Sequence, residues 1–79
     1  MLKFTREFSG VYKSEGKVGD DTYTFEITKD GDKLWSVSVY RNGMMVWSDG
    51  YENTTKGGWV KVCQTDYQQL LQGNDPYNL

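Results

Sequence analysis

The sequence predicts an α+β fold in which a four-stranded antiparallel β-meander carries one C-terminal helix on one face. Three patterns lead to this prediction: an Asn-Gly pair between two alternating arms, a second alternating segment at 22–28, and a helical spacing of apolar residues from residue 59 onward. With 79 residues, the chain is long enough for one small domain. We assign that domain to residues 1–73 and expect residues 74–79 to form a flexible C-terminal tail.

Residues 34–47 predict a β-hairpin that turns at Asn42-Gly43. Asn-Gly tolerates the two positive φ angles of a type I′ turn, and a turn of defined length determines which residues lie opposite one another. The expected cross-strand pairs are Arg41 with Met44, Tyr40 with Met45, Val39 with Val46, and Ser38 with Trp47.

Two further segments alternate between apolar and polar residues before this hairpin. Residues 2–12 predict an edge strand with a bulge at Gly10. Residues 22–28 predict a half-buried strand, with threonines and a glutamate on its polar side. Residues 13–20 contain two glycines and four charged side chains, so we expect a mobile connection there.

The turn at Asp30-Gly31-Asp32 decides which faces of the two central strands come together. A three-residue loop places Ile27 opposite Trp35 and unites the apolar faces, whereas a two-residue loop places Ile27 opposite Leu34 and splits them. We therefore expect the three-residue loop. The predicted core face then consists of Tyr23, Phe25, Ile27, Trp35, Val37, Val39 and Val46.

The apolar positions from residue 59 onward are spaced by threes and fours, which predicts a helix from about residue 55 to about residue 72. Thr54 or Thr55 can cap its start, and Gly73 can end it in a left-handed conformation. A strand within residues 59–64 is the rival interpretation, because these residues also alternate and each of the two preceding glycines weakens a helix by about 1 kcal/mol. Both interpretations stay open at this point.

The composition excludes several kinds of catalytic and metal site. The chain has one cysteine and no histidine, so it cannot form an intramolecular disulfide and lacks the usual metal ligand and neutral-pH base. We expect no catalytic residues, no metal site, no cofactor and no enzymatic activity. A net charge of −2 and a pI near 4.9 argue against direct nucleic-acid binding. The apolar runs are too short to cross a membrane, and we expect a cytoplasmic protein.

The face of the sheet away from the helix is the first candidate partner-binding surface. On the predicted register, its large apolar residues are Leu34, Tyr40, Met45 and Trp47. An exposed apolar patch with two large rings usually marks a contact with another protein. Two other interpretations stay open: the N-terminal strand or the tail covers the patch as a second small core, or the chain forms a homodimer through it.

The second candidate is an acidic end of the sheet, formed by Asp30, Asp32, Asp49 and Glu52. Antiparallel strands bring alternate turns to the same end, so we expect these carboxylates to lie near one another and to attract a basic surface of a partner. The alternative is a solvated turn, because Asp-Gly-Asp is also common turn chemistry.

These features together predict a non-catalytic protein-binding module that acts by occupying the surface of another protein. The alternative is a small-ligand-binding protein or an enzyme that uses a cleft between helix and sheet, lined by Trp59 and Tyr67. Cys63 lies on the apolar stripe of the helix, where we expect a buried, inert thiol.

Residues 35–56 resemble one repeat of a known family. The residues that carry the resemblance are Arg41-Asn42-Gly43, Val46, Ser48-Asp49-Gly50-Tyr51 and Thr54-Thr55-Lys56. They resemble a repeat of the YegP-like family of small bacterial proteins, in which a hairpin turning at Asn-Gly leads through a Ser-x-Gly-Tyr corner into a helix on the sheet. Together with the helix that these residues lead into, the resemblance covers about half of the chain. It implies the strand-strand-helix arrangement and carries no established activity.

The build of the chain is also similar to that of the small acidic inhibitors that phages encode against host defences, including anti-CRISPR proteins. The similarity lies in the small size, the acidity and the aromatic hairpin. It implies an inhibitor that binds a partner protein and occupies its surface.

Overall fold

The computed structural model describes residues 1–52 and 54–77, without the side chains of Tyr51 and Glu52. Its elements are β1 (Thr5–Phe8), β2 (Val11–Val18), β3 (Asp21–Gly31), β4 (Leu34–Arg41), β5 (Met44–Glu52) and α1 (Lys56–Leu71). The strands lie side by side in chain order in one antiparallel sheet, and α1 packs on one face of it. The predicted α+β class with an antiparallel sheet and a C-terminal helix is confirmed, but the described residues form five strands rather than four.

The additional strand comes from the N-terminal segment. Gly10 has a φ of 76° and lies in a tight turn after β1, and β2 then pairs with β3 over its whole length. The expectation of a mobile connection is therefore wrong for residues 13–18. The glycine inside β2 has a packing role, because a Cβ atom on Gly16 would lie 2.5 Å from Cε1 of Tyr67 on the helix.

The β3–β4 hairpin closes through a turn at Asp32-Lys33 and a bulge at Asp30. Ile27 therefore pairs with Val37 rather than with Trp35, so the expected three-residue loop is wrong. The pairing differs by an even number of residues, so the predicted side chains still face the helix. The predicted core residues that are buried are Tyr23, Phe25, Ile27, Val37 and Val39, and Trp35 packs against them.

The β4–β5 hairpin turns at Asn42-Gly43 as predicted, with φ angles of 50° and 85°. The first two cross-strand pairs are also as predicted. A bulge at Val46 then changes the register, so that Trp47 rather than Val46 lies opposite Val39. The predicted positions of Val46 in the core and of Trp47 on the opposite face are therefore wrong.

Helix α1 begins after Thr55, whose side-chain oxygen accepts a hydrogen bond of 3.0 Å from the backbone N–H of Gly58. Gly73 follows the helix with a φ of 87°, the left-handed conformation that ends many helices. The helix prediction is confirmed, and the strand interpretation of residues 59–64 is excluded. No helix in the described part of the chain is long and apolar enough to cross a membrane.

The core lies between α1 and the sheet. Its buried members are Leu2, Tyr23, Phe25, Ile27, Val37, Val39, Trp59, Cys63 and Leu70. The N-terminal segment joins this core because the Gln64 side chain holds the backbone of Leu2, accepting from its N–H at 3.0 Å and donating to its carbonyl at 2.8 Å. Leu71, which the sequence places on the apolar stripe, is half exposed.

Candidate functional site

The bulge in β5 divides the predicted aromatic patch between the two faces of the sheet. Tyr40 and Met45 lie opposite each other on the face away from α1, and Leu34 is half-buried on that face. Trp47 lies on the helix side and packs against the core. The structure therefore brings Tyr40 and Met45 together but separates Trp47 from them, which corrects the predicted four-residue patch.

Two aromatic rings hold Trp47 on the helix side. Its indole makes an edge contact with Trp59, with ring centroids 6.1 Å apart, and stacks on Tyr77 at 5.6 Å. The Tyr77 hydroxyl in turn donates a hydrogen bond of 2.9 Å to the carboxylate of Asp66 on α1. The predicted flexible tail is thus tied to the domain at Tyr77, whereas its last residues, 78 and 79, lie outside the described residues.

The face of the sheet away from α1 is mainly polar. Alternation along β3, β4 and β5 places hydroxyl side chains there, namely Thr22, Thr24, Thr28, Ser36, Ser38 and Ser48. Lys13 forms ion pairs on this face with Glu7 at 3.2 Å and with Glu26 at 3.4 Å, beside a concavity of about 480 Å³ lined mainly by charged and hydroxyl side chains. Tyr40 therefore lies within a mainly polar surface, and a second ring on this face, Phe8, lies opposite Val11 at the far edge of the sheet on β1.

Exposed apolar residues follow one another in the chain at the tip of the β4–β5 hairpin, whereas Met1, Phe8 and Leu71 are exposed singly elsewhere. Met44, Met45 and Val46 are consecutive residues, and they are 74%, 55% and 37% exposed. We call these three residues the hairpin-tip patch. The sequence pattern predicts that Met45 belongs to a binding surface and that Val46 belongs to the core. The second prediction fails because nothing in the pattern reveals the bulge.

Hydrogen bonds from Asn42 hold the hairpin tip against the neighbouring β2–β3 turn. The Asn42 side chain accepts from the backbone N–H of Thr22 at 2.9 Å and donates to the carboxylate of Asp21 at 2.8 Å. Asp21 also forms an ion pair of 3.3 Å with Arg41. Asparagine suits this position because it tolerates the positive φ and supplies both hydrogen bonds. The tip therefore has a defined position relative to the sheet.

The predicted acidic end is only partly assembled. Asp30 and Asp32 both lie exposed in the β3–β4 hairpin. Lys29 and Lys33 lie directly beside them in the chain and are also exposed, so positive charge offsets the two carboxylates. This turn alone therefore presents no net acidic surface to a partner.

The other two predicted acidic residues do not join that turn in the described structure. Asp49 lies opposite Val37 on the helix side, where it is half-buried, and its carboxylate accepts the backbone N–H of Gly50 at 2.9 Å. The side chain of Glu52 lies outside the described residues. The predicted steering of a basic partner by these four residues stays a prediction.

Three other carboxylates lie at the opposite end of the sheet, near the hairpin-tip patch. Asp20 and Asp21 belong to the β2–β3 turn and the strand that follows it, and Asp75 belongs to the tail. Asp21 and Asp75 line one concavity there together with Arg41. The sequence pattern cannot reveal this grouping, because the position of Asp75 depends on how the tail packs on the rest of the domain.

Two side chains on α1 have pKa values that burial shifts. Burial raises the pKa of the Cys63 thiol to about 12, so the thiol stays protonated at neutral pH. Burial also raises the pKa of Asp66, against the opposing effect of its hydrogen bond from Tyr77. Among the residues that the structure describes, no group of three or more Cys, Asp or Glu side chains lies close enough to hold a metal ion.

The rings predicted to line a cleft between helix and sheet are packed against the sheet. The indole N–H of Trp59 donates to the carbonyl of Trp35 at 2.9 Å. The hydroxyl of Tyr67 donates to the carbonyl of Lys17 at 2.9 Å, and its ring makes an edge contact with Phe25. These contacts give no support to a ligand cleft between the two rings.

Comparison with known proteins adds no functional assignment. No protein family, curated protein or solved structure matches the chain. The resemblances to the YegP-like repeat and to phage-encoded inhibitors stay predictions.

Proposed function

We propose that the chain is a non-catalytic protein-binding module that docks on another protein through the hairpin-tip patch. The observation that supports this most directly is the exposure of Met44, Met45 and Val46 at the hairpin tip, while the apolar residues at the centre of the sheet are buried. Single exposed apolar residues are common on protein surfaces, but a contiguous group at one point favours a contact site.

Three features of the hairpin-tip patch favour binding. Hydrogen bonds and an ion pair fix the tip to the β2–β3 turn, so docking orders little additional backbone. Methionine side chains are flexible and polarisable, and they adapt to the shape of an apolar partner surface. A concavity of about 330 Å³, lined by Arg41, Asn42 and the three patch residues, offers room for a partner side chain.

The outer edge of β5 favours docking by side chains over the addition of a partner strand. Among the described strands β5 pairs with β4 alone, so alternate backbone groups point outward. The bulge at Val46 interrupts this edge, and the Asp49 carboxylate already accepts a hydrogen bond from the N–H of Gly50. Both features obstruct a regular hydrogen-bonded ladder with another strand.

The proposed action is stoichiometric occupancy of a partner's surface. Such binding inhibits a partner when it covers the surface that the partner itself uses, and it requires no reactive group on this chain. The finer assignment to phage-type inhibitors is supported by the small size and acidity of the chain.

Site-specific photo-crosslinking tests the proposal. A photoreactive phenylalanine analogue replaces Met45, or Phe8 on β1 as a matched exposed control, and each protein is irradiated in a lysate of the cells that encode the chain. We expect a discrete adduct from position 45 and not from position 8. Excess wild-type chain should suppress that adduct, whereas the double variant M44S/M45S should not.

Three outcomes would contradict the proposal. Equal adduct yields at the two positions would indicate nonspecific contact. If M44S/M45S suppressed the adduct as strongly as the wild-type chain does, the hairpin-tip patch would not be required for binding. An adduct with the mass of two copies of the chain would indicate the homodimer instead. Circular dichroism establishes that the variants are folded, which the exposure of both methionines leads us to expect.

A further inference from the structure

A concavity between the hairpin tip and the tail combines apolar and charged side chains. It has a volume of about 330 Å³ and is lined by Tyr23, Arg41, Val46, Asp75 and Tyr77. Val46 also belongs to the hairpin-tip patch, so a partner that docks on the patch lies over this concavity. An apolar wall next to a carboxylate matches the two parts of a lysine or arginine side chain, its aliphatic stem and its charged end.

The charges around this concavity favour a cation. Asp75 accepts the backbone N–H of Tyr77 at 2.9 Å with one carboxylate oxygen, and no ion pair within the described part of the chain involves it. The guanidinium of Arg41 is already paired with Asp21 at 3.3 Å. Asp20 adds a further carboxylate in the same turn, so the three carboxylates of Asp20, Asp21 and Asp75 outnumber the two basic groups of Arg41 and Lys17 at this end of the sheet.

The end of α1 adds to the negative potential. Carbonyl groups at a helix C-terminus carry a partial negative charge, and the last turn of α1 contains no basic residue to offset it. Leu70 and Gly73 at this helix end line an adjoining concavity together with Asp75. The pKa of Tyr23 is raised first by burial and then by the charge of Asp75, while the charge of Arg41 lowers it.

We infer that this concavity binds a lysine or arginine side chain of the protein that docks on the hairpin-tip patch. The inference rests on the proposed function and specifies the chemistry of the partner. The aliphatic stem packs on Val46 and on the ring of Tyr77, and the charged end pairs with Asp75. The partner segment therefore carries a basic residue close to an apolar one, and it approaches the end of the sheet opposite to Asp30 and Asp32.

Short peptides test the inference without an identified partner. The probes are acetyl-Leu-Arg-Leu-amide and its glutamine counterpart, titrated into isotope-labelled protein while backbone amide shifts are followed by NMR. We expect the arginine peptide to bind about three- to fivefold more tightly, as one exposed ion pair allows. The largest shift changes should lie at Val46, Asp75 and Tyr77.

The variant D75N is the decisive control. Its side-chain oxygen can still accept the N–H of Tyr77, but the charge is removed, so we expect the arginine preference to disappear. The preference should persist in D32N, which removes a carboxylate at the opposite end of the sheet. Equal affinity for both peptides in the wild type, a preference that survives D75N, or shifts centred elsewhere would overturn the inference.

The two proposals fail in distinguishable ways. Position-specific crosslinking at residue 45 without an arginine preference contradicts the basic anchor alone. An arginine preference at Asp75 without crosslinking at residue 45 supports the cation site and contradicts the docking surface.

Discussion

The ring of Tyr77 stacks on the indole of Trp47, with centroids 5.6 Å apart and planes inclined by 23°. Because the Tyr77 hydroxyl also donates to Asp66, this contact joins the tail, β5 and α1. The indole that the sequence suggests for partner binding is therefore packed against the core. Trp47 and Tyr77 therefore stabilise the fold, whereas the exposed residues of the hairpin tip are free to contact a partner.

Trp47→Ala should destabilise the fold by about 2–4 kcal/mol, because the ring fills space between Trp59 and Tyr77. Tyr40→Ala, on the polar face, should change the free energy of unfolding by less than about 1 kcal/mol. Urea unfolding followed by circular dichroism measures both values. A larger loss for Tyr40→Ala than for Trp47→Ala would contradict the assignment of the two faces.

The local features of this fold could be predicted from the sequence. Asn42-Gly43 forms the expected turn, Thr55 caps the helix, and Gly73 adopts the left-handed conformation after it. Each of these signals acts through φ angles and hydrogen bonds within a few residues of the chain. Such short-range preferences are present in the residue types themselves, so they need no knowledge of the tertiary structure.

The arrangement of the candidate site could not be predicted in the same way. One extra residue at Val46 moves every later side chain of β5 to the other face, and no residue type there signals the bulge. Tyr40 and Met45, which precede the bulge, keep their predicted positions, whereas Trp47 does not. The bulge at Asp30 leaves the predicted faces of β3 and β4 unchanged, because together with the two-residue turn it shifts the pairing by two residues.

Gly16→Ala should destabilise the fold by about 1–3 kcal/mol, because the new Cβ atom would lie 2.5 Å from Cε1 of Tyr67. Glycines and charged side chains make residues 13–18 resemble a loop in the sequence. In the fold, the missing side chain of Gly16 leaves room for the ring of Tyr67 on α1. Gly57→Ala is the matched control, since its nearest atom lies 3.8 Å away and alanine should stabilise the helix by up to about 1 kcal/mol.

Thermal and urea unfolding measure both glycine variants, and a third variant identifies the cause. In a Tyr67→Leu background the ring atoms are gone, so the destabilisation by Gly16→Ala should become smaller. An unchanged loss in that background would show that the ring is not what requires glycine at this position.

Asp66 should make the stability of the fold fall as the pH rises. Burial raises its pKa above the ordinary value of 3.8, so the folded state binds a proton more tightly than the unfolded state. The ionised carboxylate therefore destabilises the fold above the raised pKa, and this effect disappears as the pH falls toward 3.8. Asp66→Asn removes the titration while keeping an oxygen for the Tyr77 hydroxyl.

The free energy of unfolding of Asp66→Asn minus that of the wild type should be largest near neutral pH and should shrink on acidification. Urea unfolding from about pH 7.5 down to about pH 4.5 covers the relevant range. Ser36→Ala, which changes no ionisable side chain and lies opposite Thr28 and Gly50, is the control, and its difference from the wild type should stay constant over this range. A difference that grows as the pH falls would mean that the folded-state pKa of Asp66 is lowered.

Ser14→Ala should stabilise the fold. The Ser14 hydroxyl is buried beneath α1, and it has no hydrogen-bond partner among the described residues. An unpartnered buried hydroxyl costs about 1–3 kcal/mol of desolvation, so replacing it by a methyl group should raise the free energy of unfolding by about 1 kcal/mol. Ser38→Ala, on the polar face, should leave it nearly unchanged. Urea unfolding of both variants is the measurement, and a clear loss of stability in Ser14→Ala alone would contradict the expectation that this hydroxyl is unsatisfied in the folded state.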